Sequence, residues 1–318
     1  MSRDTLDFRW TRGLLPSRLA RVTILRNGLV ALCLLGLLAI PLLLHFMQRR
    51  HNVLPYDVAA AYPLDAQVPR GEIFATTLVE LVLRELDSAS GWRPNDFILW
   101  SPSLLADNNA NRQLGIIQAV RESARLFRDH LTKVSATEYD ANLVDADTKL
   151  RNDEHKFWFP AAETRFREGV ESLQRYVAGL HQVPMASKPL NERNIELIRI
   201  FQSWCDMLGD AHHNLLRDDA SFFATDDYFY HAQGFAHVMH HLTKALRREY
   251  ALSLAGRETV LDMFDRCAAS LAVAAKIKPL AVLNGGPAGL FANHRRNLDA
   301  YIVDARQLMY SIREEMEK

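Results

Sequence analysis

The residues best suited to chemistry are histidines. The chain has twelve, and six of them (His212, His213, His231, His237, His240 and His241) fall in two neighbouring stretches with helical apolar spacing, 191–216 and 227–252. At 100° per residue, Phe201, Cys205, Leu208 and His212 share an arc of about 60° on the first, while Asp206, Asp210 and His213 gather on another side. On the second, His231 lies with Phe235, Met239 and Leu242, and His237, His240 and His241 lie opposite. Imidazoles beside carboxylates are ligand types for zinc or iron. Packing the apolar stripes together turns Asp206, Asp210 and His213 away from His237 and His241, so those groups read as solvated faces. His212 and His231 are different. Each sits on an apolar stripe, equally far from a turn centred near Phe222, so an antiparallel hairpin sets them at one height. They read as satisfied core histidines or, more sharply, as a pH-sensitive or metal-binding pair completed by Asp262 or Asp265.

Other chemistry is sparse. No GxSxG, HExxH, GxxxxGK[ST] or GxGxxG pattern occurs. Asp153-Glu154-His155 are consecutive and point to different sides of a helix. The Asn284–Gly289 loop has no lysine to cradle phosphate. Lys plus Arg and Asp plus Glu are 38 each, a balance that gives no support to charge-driven nucleic-acid binding. Cys205 and Cys267 are far apart in sequence and form no CxxC. They are either buried thiols or, in an oxidising compartment, a single bridge. No cofactor is expected, a transition metal at His212 and His231 being the alternative.

What must position these groups begins with an anchor. Residues 29–47 contain no Asp, Glu, Lys or Arg, and about 19 apolar residues at ~1.5 Å each cover the hydrocarbon core of a bilayer. Arg49 and Arg50 stand where a signal-peptide cleavage site belongs, so the segment reads as an uncleaved transmembrane helix. Six arginines precede it (3, 9, 12, 18, 21 and 26) and two follow at once, which puts residues 1–28, a basic tail, in the cytoplasm. Residues 48–70, with Pro55, Pro63 and Pro69, read as a linker to a domain over 71–318 on the far side.

That domain reads as all-α. Few Gly and Pro, much Leu, Ala, Arg and Glu, and repeated 3.6-residue periods predict about eight helices, at 72–86, 113–131, 137–150, after Pro160, and over 191–216, 227–252, 257–277 and 293–316. No strand pair is convincing. Residues 88–105 break the pattern with Gly91, Pro94 and Pro102 among Trp92, Phe97, Ile98, Leu99 and Trp100. They read as a loop folded over the core or as an aromatic lip offering Trp92, Phe97 and Trp100 to a partner.

The Gly91-Trp92-Arg93-Pro94-Asn95 turn, the asparagine-rich 107–112 stretch with Leu114-Gly115, the Phe157-Trp158-Phe159-Pro160 break and the Asn284-Gly285-Gly286 loop, behind an N-terminal anchor, resemble the domain of unknown function 2333 family, a bacterial membrane-anchored family. The resemblance spans nearly the whole chain and carries over no reaction, cofactor or catalytic residue. The expectation is a single-pass protein of the bacterial inner membrane with a periplasmic helical domain. It would bind the bilayer through 29–47 and an envelope protein or component through its domain, without nucleic acid. A metal-dependent enzyme centred on His212 and His231, and a small-molecule sensor, are the alternatives.

Overall fold

The structure, a computed structural model, describes residues 18–51, 56–88, 90–96, 107–132, 138–217, 222–279, 282–285 and 292–318. Among these residues it is all-helical, with no named strand and an isolated β-bridge joining Asn284 to Asn293. The chain divides into two compact units, Met1–Leu43 and Leu44–Lys318.

The first unit holds most of α1 (Arg18–His51), a helix of 34 residues, about 51 Å long at 1.5 Å per residue. Leu29, Val30, Leu32, Leu34, Leu35 and Leu37 are all exposed, and at 100° per residue they occupy its whole circumference. Among the described residues, no helix is long and apolar enough to cross a membrane. The expected span of 29–47 includes positions 38, 40–42, 44, 45 and 47, whose side chains lie outside the described set.

The second unit contains the short α2 (Val58–Ala61) and eight longer helices: α3 (Glu72–Leu86), α4 (Asp107–Leu126, continued by one π turn, Phe127–Leu131), α5 (Ala141–Leu150), α6 (Ala162–Leu180), α7 (Asn194–Leu216), α8 (Phe222–Glu249), α9 (Glu258–Lys276) and α10 (His294–Glu317). Local chemistry fixes several ends. Asp140 accepts the N–H groups of Asn142 and Leu143 at the start of α5. Gly71 precedes α3 at φ +97°, where a Cβ would come within 2.6 Å of the Tyr176 hydroxyl. The Glu249 carboxylate, from the far end of α8, accepts the N–H groups of Gly71 and Phe74 and supplies the anion that a helix start favours. Buried Arg295 donates to the Asn214 and Arg217 carbonyls and closes the end of α7.

α8 is the central element, packing against α2, α3, α4, α7, α9 and α10. Its closest neighbour is α4, and two glycines set the approach. A Cβ at Gly115 would lie 2.1 Å from the His231 carbonyl oxygen, and one at Gly234 would lie 2.4 Å from that of Arg112. Around this crossing, Phe74, Phe127 and Tyr176 stack in one cluster and Phe201, Trp204 and Phe264 in another. α7, α9 and α10 form a three-helix face, where the Cys205 and Cys267 thiols are free and point at the Arg306 and Ala305 carbonyls of α10. Burial raises both thiols, that of Cys205 to about 11.

Residues expected as linker are partly integral to the fold. Tyr56 and Val58 are buried, Asp57 pairs with Lys244, and Arg248 donates to the carbonyls of Tyr62, Pro63, Leu64 and Ala66. Only residues 52–55 between α1 and this segment fall outside the described set.

Candidate functional site

α4, α7 and α8 enclose a cleft of about 310 Å³ whose polar lining comes from Asp210, His213 and Asn214 on α7, Tyr228 and His231 on α8, and Gln118 on α4. The Gly115–Gly234 crossing forms its neighbourhood: backbones that meet there hold His231 where the helices begin to diverge. The His231 ring stands edge-on to Phe235, with centroids 4.7 Å apart. Burial lowers its pKa below the ordinary imidazole value, so it faces the cleft neutral, with one nitrogen able to donate and the other to accept. Arg217 lies over the Tyr228 ring. Beside the cleft, Asn111 donates to Asp227, and burial raises Asp226 and Asp227 above the usual carboxylate range. The lining offers carboxylate, amide, imidazole and phenol groups over aromatic surface, a donor and acceptor set for a small polar ligand.

The anticipated pair of His212 and His231 is not formed. His212 turns to α10, where its Nδ1 meets Asp299 Oδ1 at 2.7 Å, and the residue that joins His231 in the cleft is His213. The hairpin height was right and the azimuth wrong by one residue, about 100°, because α7 shares its apolar side between α8 and α10. Asp265 pairs with Arg247, and Asp262 stands near Arg266 on the exposed side of α9. Among the described residues, no three His, Cys, Asp or Glu side chains group to hold a metal.

His237, His240 and His241, expected on a solvated face, pack inward because α8 is enclosed on nearly every side. Their rings adjoin at 4.7–4.8 Å, and His241 also meets Tyr56 at 5.8 Å. His240 bonds the Ala268 carbonyl, while the buried His241 Nδ1 has no partner among the described residues. Desolvation first, then the neighbouring His240 and the cations Lys244, Arg84 and Arg112, hold His241 down at about 3. The unfolded chain takes up this proton near pH 6.5 and the folded chain does not, so stability present above that pH is lost as pH falls. His237, His240 and His231 shift in the same direction. Glu249, raised to about 7 by burial, acts with the opposite sign. Denaturant titrations at pH 7 and pH 5 will show the native chain losing stability, and His241→Leu will flatten that loss by about 2 kcal/mol. An unchanged slope in the variant would refute the role given to His241.

The aromatic lip also needs revision. Trp92 is buried edge-on against Phe166, and its Nε1 donates to the Glu154 carbonyl at 2.9 Å, so it is a strut rather than a binding surface. Phe97 and Trp100 lie outside the described residues. Phe157, Trp158 and Phe159, which sequence reading treats only as a helix break, are among the exposed aromatics of the described residues. The loop that carries them is pinned from below. Arg121 donates to the Leu150 and Asn152 carbonyls and to Glu154, and Asn95 donates to the Lys156 carbonyl and Glu163. The 91–95 turn that supplies Trp92 and Asn95 is itself held by Gln113, which accepts from Arg93 N–H and donates to the Gly91 carbonyl and to Glu85.

No curated protein and no solved structure matches the chain. The profile of a family described as uncharacterised proteins conserved in bacteria, DUF2333, matches residues 20–210 and 208–318, and the chain belongs to that family.

Proposed function

We propose that this protein is a membrane-anchored helical binding module of the bacterial cell envelope, with α1 as its anchor, its N-terminus in the cytoplasm and its folded unit in the periplasm. The observation that carries the reading is α1 itself. The uncharged residues 29–47 lie within one continuous helix, and the apolar side chains described there are exposed around its circumference. A helix apolar on every side leaves no face for water, and lipid supplies the missing environment. The folded unit is read as non-enzymatic. Its cleft brings together groups suited to hydrogen-bonding a ligand and holds neither cysteine nor lysine. Sensing of a small polar molecule is the second reading, and the cleft favours it.

The test has two steps. Membranes from a bacterial host are washed at alkaline pH, and the chain should stay in the pellet. A compartment-sensitive reporter fused after Lys318 should then give a periplasmic signal. Release by the wash would remove the anchor, and a cytoplasmic signal would reverse the orientation.

A further inference from the structure

We propose that the cleft between α4, α7 and α8 takes a small organic cation, a short aliphatic amine whose ammonium pairs with Asp210; this rests on the second reading above, the cleft as a site for a small polar molecule.

The charge in the cleft is one-sided. Asp210 is the carboxylate of the lining, and neither lysine nor arginine joins it there. Its neighbours on α7 are committed elsewhere: Asp206 accepts from Gln202, and His212 meets Asp299. Asp210 is exposed and, among the described residues, has no hydrogen bond and no ion pair. Across the cleft on α8, burial keeps half-buried His231 neutral, and among the described residues its ring nitrogens hold no hydrogen bond. A neutral imidazole offers one lone pair to a donor, and the Gln118 and Asn214 side chains add amide oxygens. An ammonium has three donors and no acceptor, so these acceptors suit it. An anion would meet the Asp210 carboxylate with no cation of the lining to offset the repulsion. Arg217, over the Tyr228 ring at 5.8 Å, is exposed, and water and salt screen its charge.

The spacing of the groups decides what kind of cation. Among the described residues no three His, Cys, Asp or Glu side chains group to hold a metal, so Asp210, His213 and His231 do not close on a bare ion. A cation with its own carbon chain can reach across about 310 Å³. The apolar part of the lining suits that chain: Ala211, Ala232 and Phe235 are buried, and Met207 lies with them. Methylenes laid on this surface leave water while the ammonium stays at the carboxylate. The Tyr228 ring already takes one cation on its face, that of Arg217, and an aromatic wall favours a second nearby.

The experiment titrates the full chain, in nonionic detergent at low salt, with 1,4-diaminobutane, 1,4-butanediol and succinate. The three probes share one chain length and are too polar to enter the micelle. Isothermal calorimetry reads the binding. The expected result is saturable binding of the diamine, at least about tenfold tighter than the diol, with succinate silent. Asp210→Asn, an exposed change that keeps the size, should weaken the diamine by at least about tenfold and leave the thermal melt unchanged. Gln118→Trp, also at an exposed position, should abolish binding by filling the cleft. Diamine binding that Asp210→Asn leaves unchanged overturns the proposal. So does diol or succinate binding as tight as that of the diamine, and its loss in Gln118→Trp would then keep the cleft as a site for polar molecules of another charge. Silence from all three probes overturns the proposal and removes the polar-ligand reading with it, while the anchor is judged separately by the alkaline wash.

Discussion

Glu85→Ala will destabilise the folded unit by about 3–5 kcal/mol, the range for removing one partner of a buried ion pair. Glu85 and Arg112 meet at 2.9 Å with side chains 5% and 2% exposed. With the carboxylate gone, the Arg112 guanidinium is left charged in a site that water does not reach, and Gln113 loses one of its acceptors. At roughly 2–4 °C per kcal/mol for a domain of this size, thermal unfolding followed by circular dichroism should move down by about 6–20 °C. Replacing both partners, as in Glu85→Leu with Arg112→Met, removes the stranded charge together with the pair and should restore most of the loss. A single variant within 1 kcal/mol of the parent would show that water reaches the pair. The damage should also spread outward: Gln113 holds the 91–95 turn, which holds the Phe157–Phe159 loop, so proteolysis at that loop should quicken.

Gly115→Val is the second large effect. The new Cβ would meet the His231 carbonyl oxygen at 2.1 Å, with the backbone of Gly234 beyond it, and backbone cannot rotate aside as a side chain can. α4 and α8 must separate, opening the cleft beside them and undoing packing along both helices. The cost is about 3 kcal/mol or more, at the upper end for overpacking. Gly234→Ala strikes the Arg112 carbonyl oxygen from the other side and should act alike. Because both variants press on one crossing, their combined cost should fall short of the sum, a non-additivity measurable in a double-mutant cycle. Additive effects would mean that the crossing is looser than these distances require.

These two sites show which parts of the architecture the sequence made legible. The helix over 72–86 was readable to the residue, because Phe74, Leu78, Leu81, Val82 and Leu86 recur at helical spacing after the proline-rich 48–70 stretch. The start of α8 was read five residues late, since Phe222 and Phe223 belong to the helix and only seem to continue the turn. Periodicity assumes that a helix has one dry face. It served α6, which packs chiefly on α3 and α5, and failed for α8, which is packed on by six elements. That is why His241, placed on a polar face by its spacing, is buried; His213 rather than His212 joins His231 because α7 shares its apolar side between α8 and α10. The exposure of Trp158 and Phe159 was not legible in the sequence: aromatic residues in a row signal burial as readily as display, and only the folded loop, held by Trp92, Asn95 and Arg121, shows it. Gly91 to Asn95 holds the loop that leads to Phe157–Pro160, while Gly115 sets the separate crossing of α4 and α8.

The central place of α8 also bears on how the chain is made. Emerging N-terminus first, α3, α4 and α7 leave the ribosome before the helix that covers them, and more than 220 residues of chain precede Phe222. Until that segment arrives, the side of α4 that meets α8 is uncovered and Gly115 faces nothing. Nascent chains halted before residue 222 should bind holdase chaperones and resist compaction, and release should follow synthesis of α8 as a single late event rather than a helix-by-helix accretion.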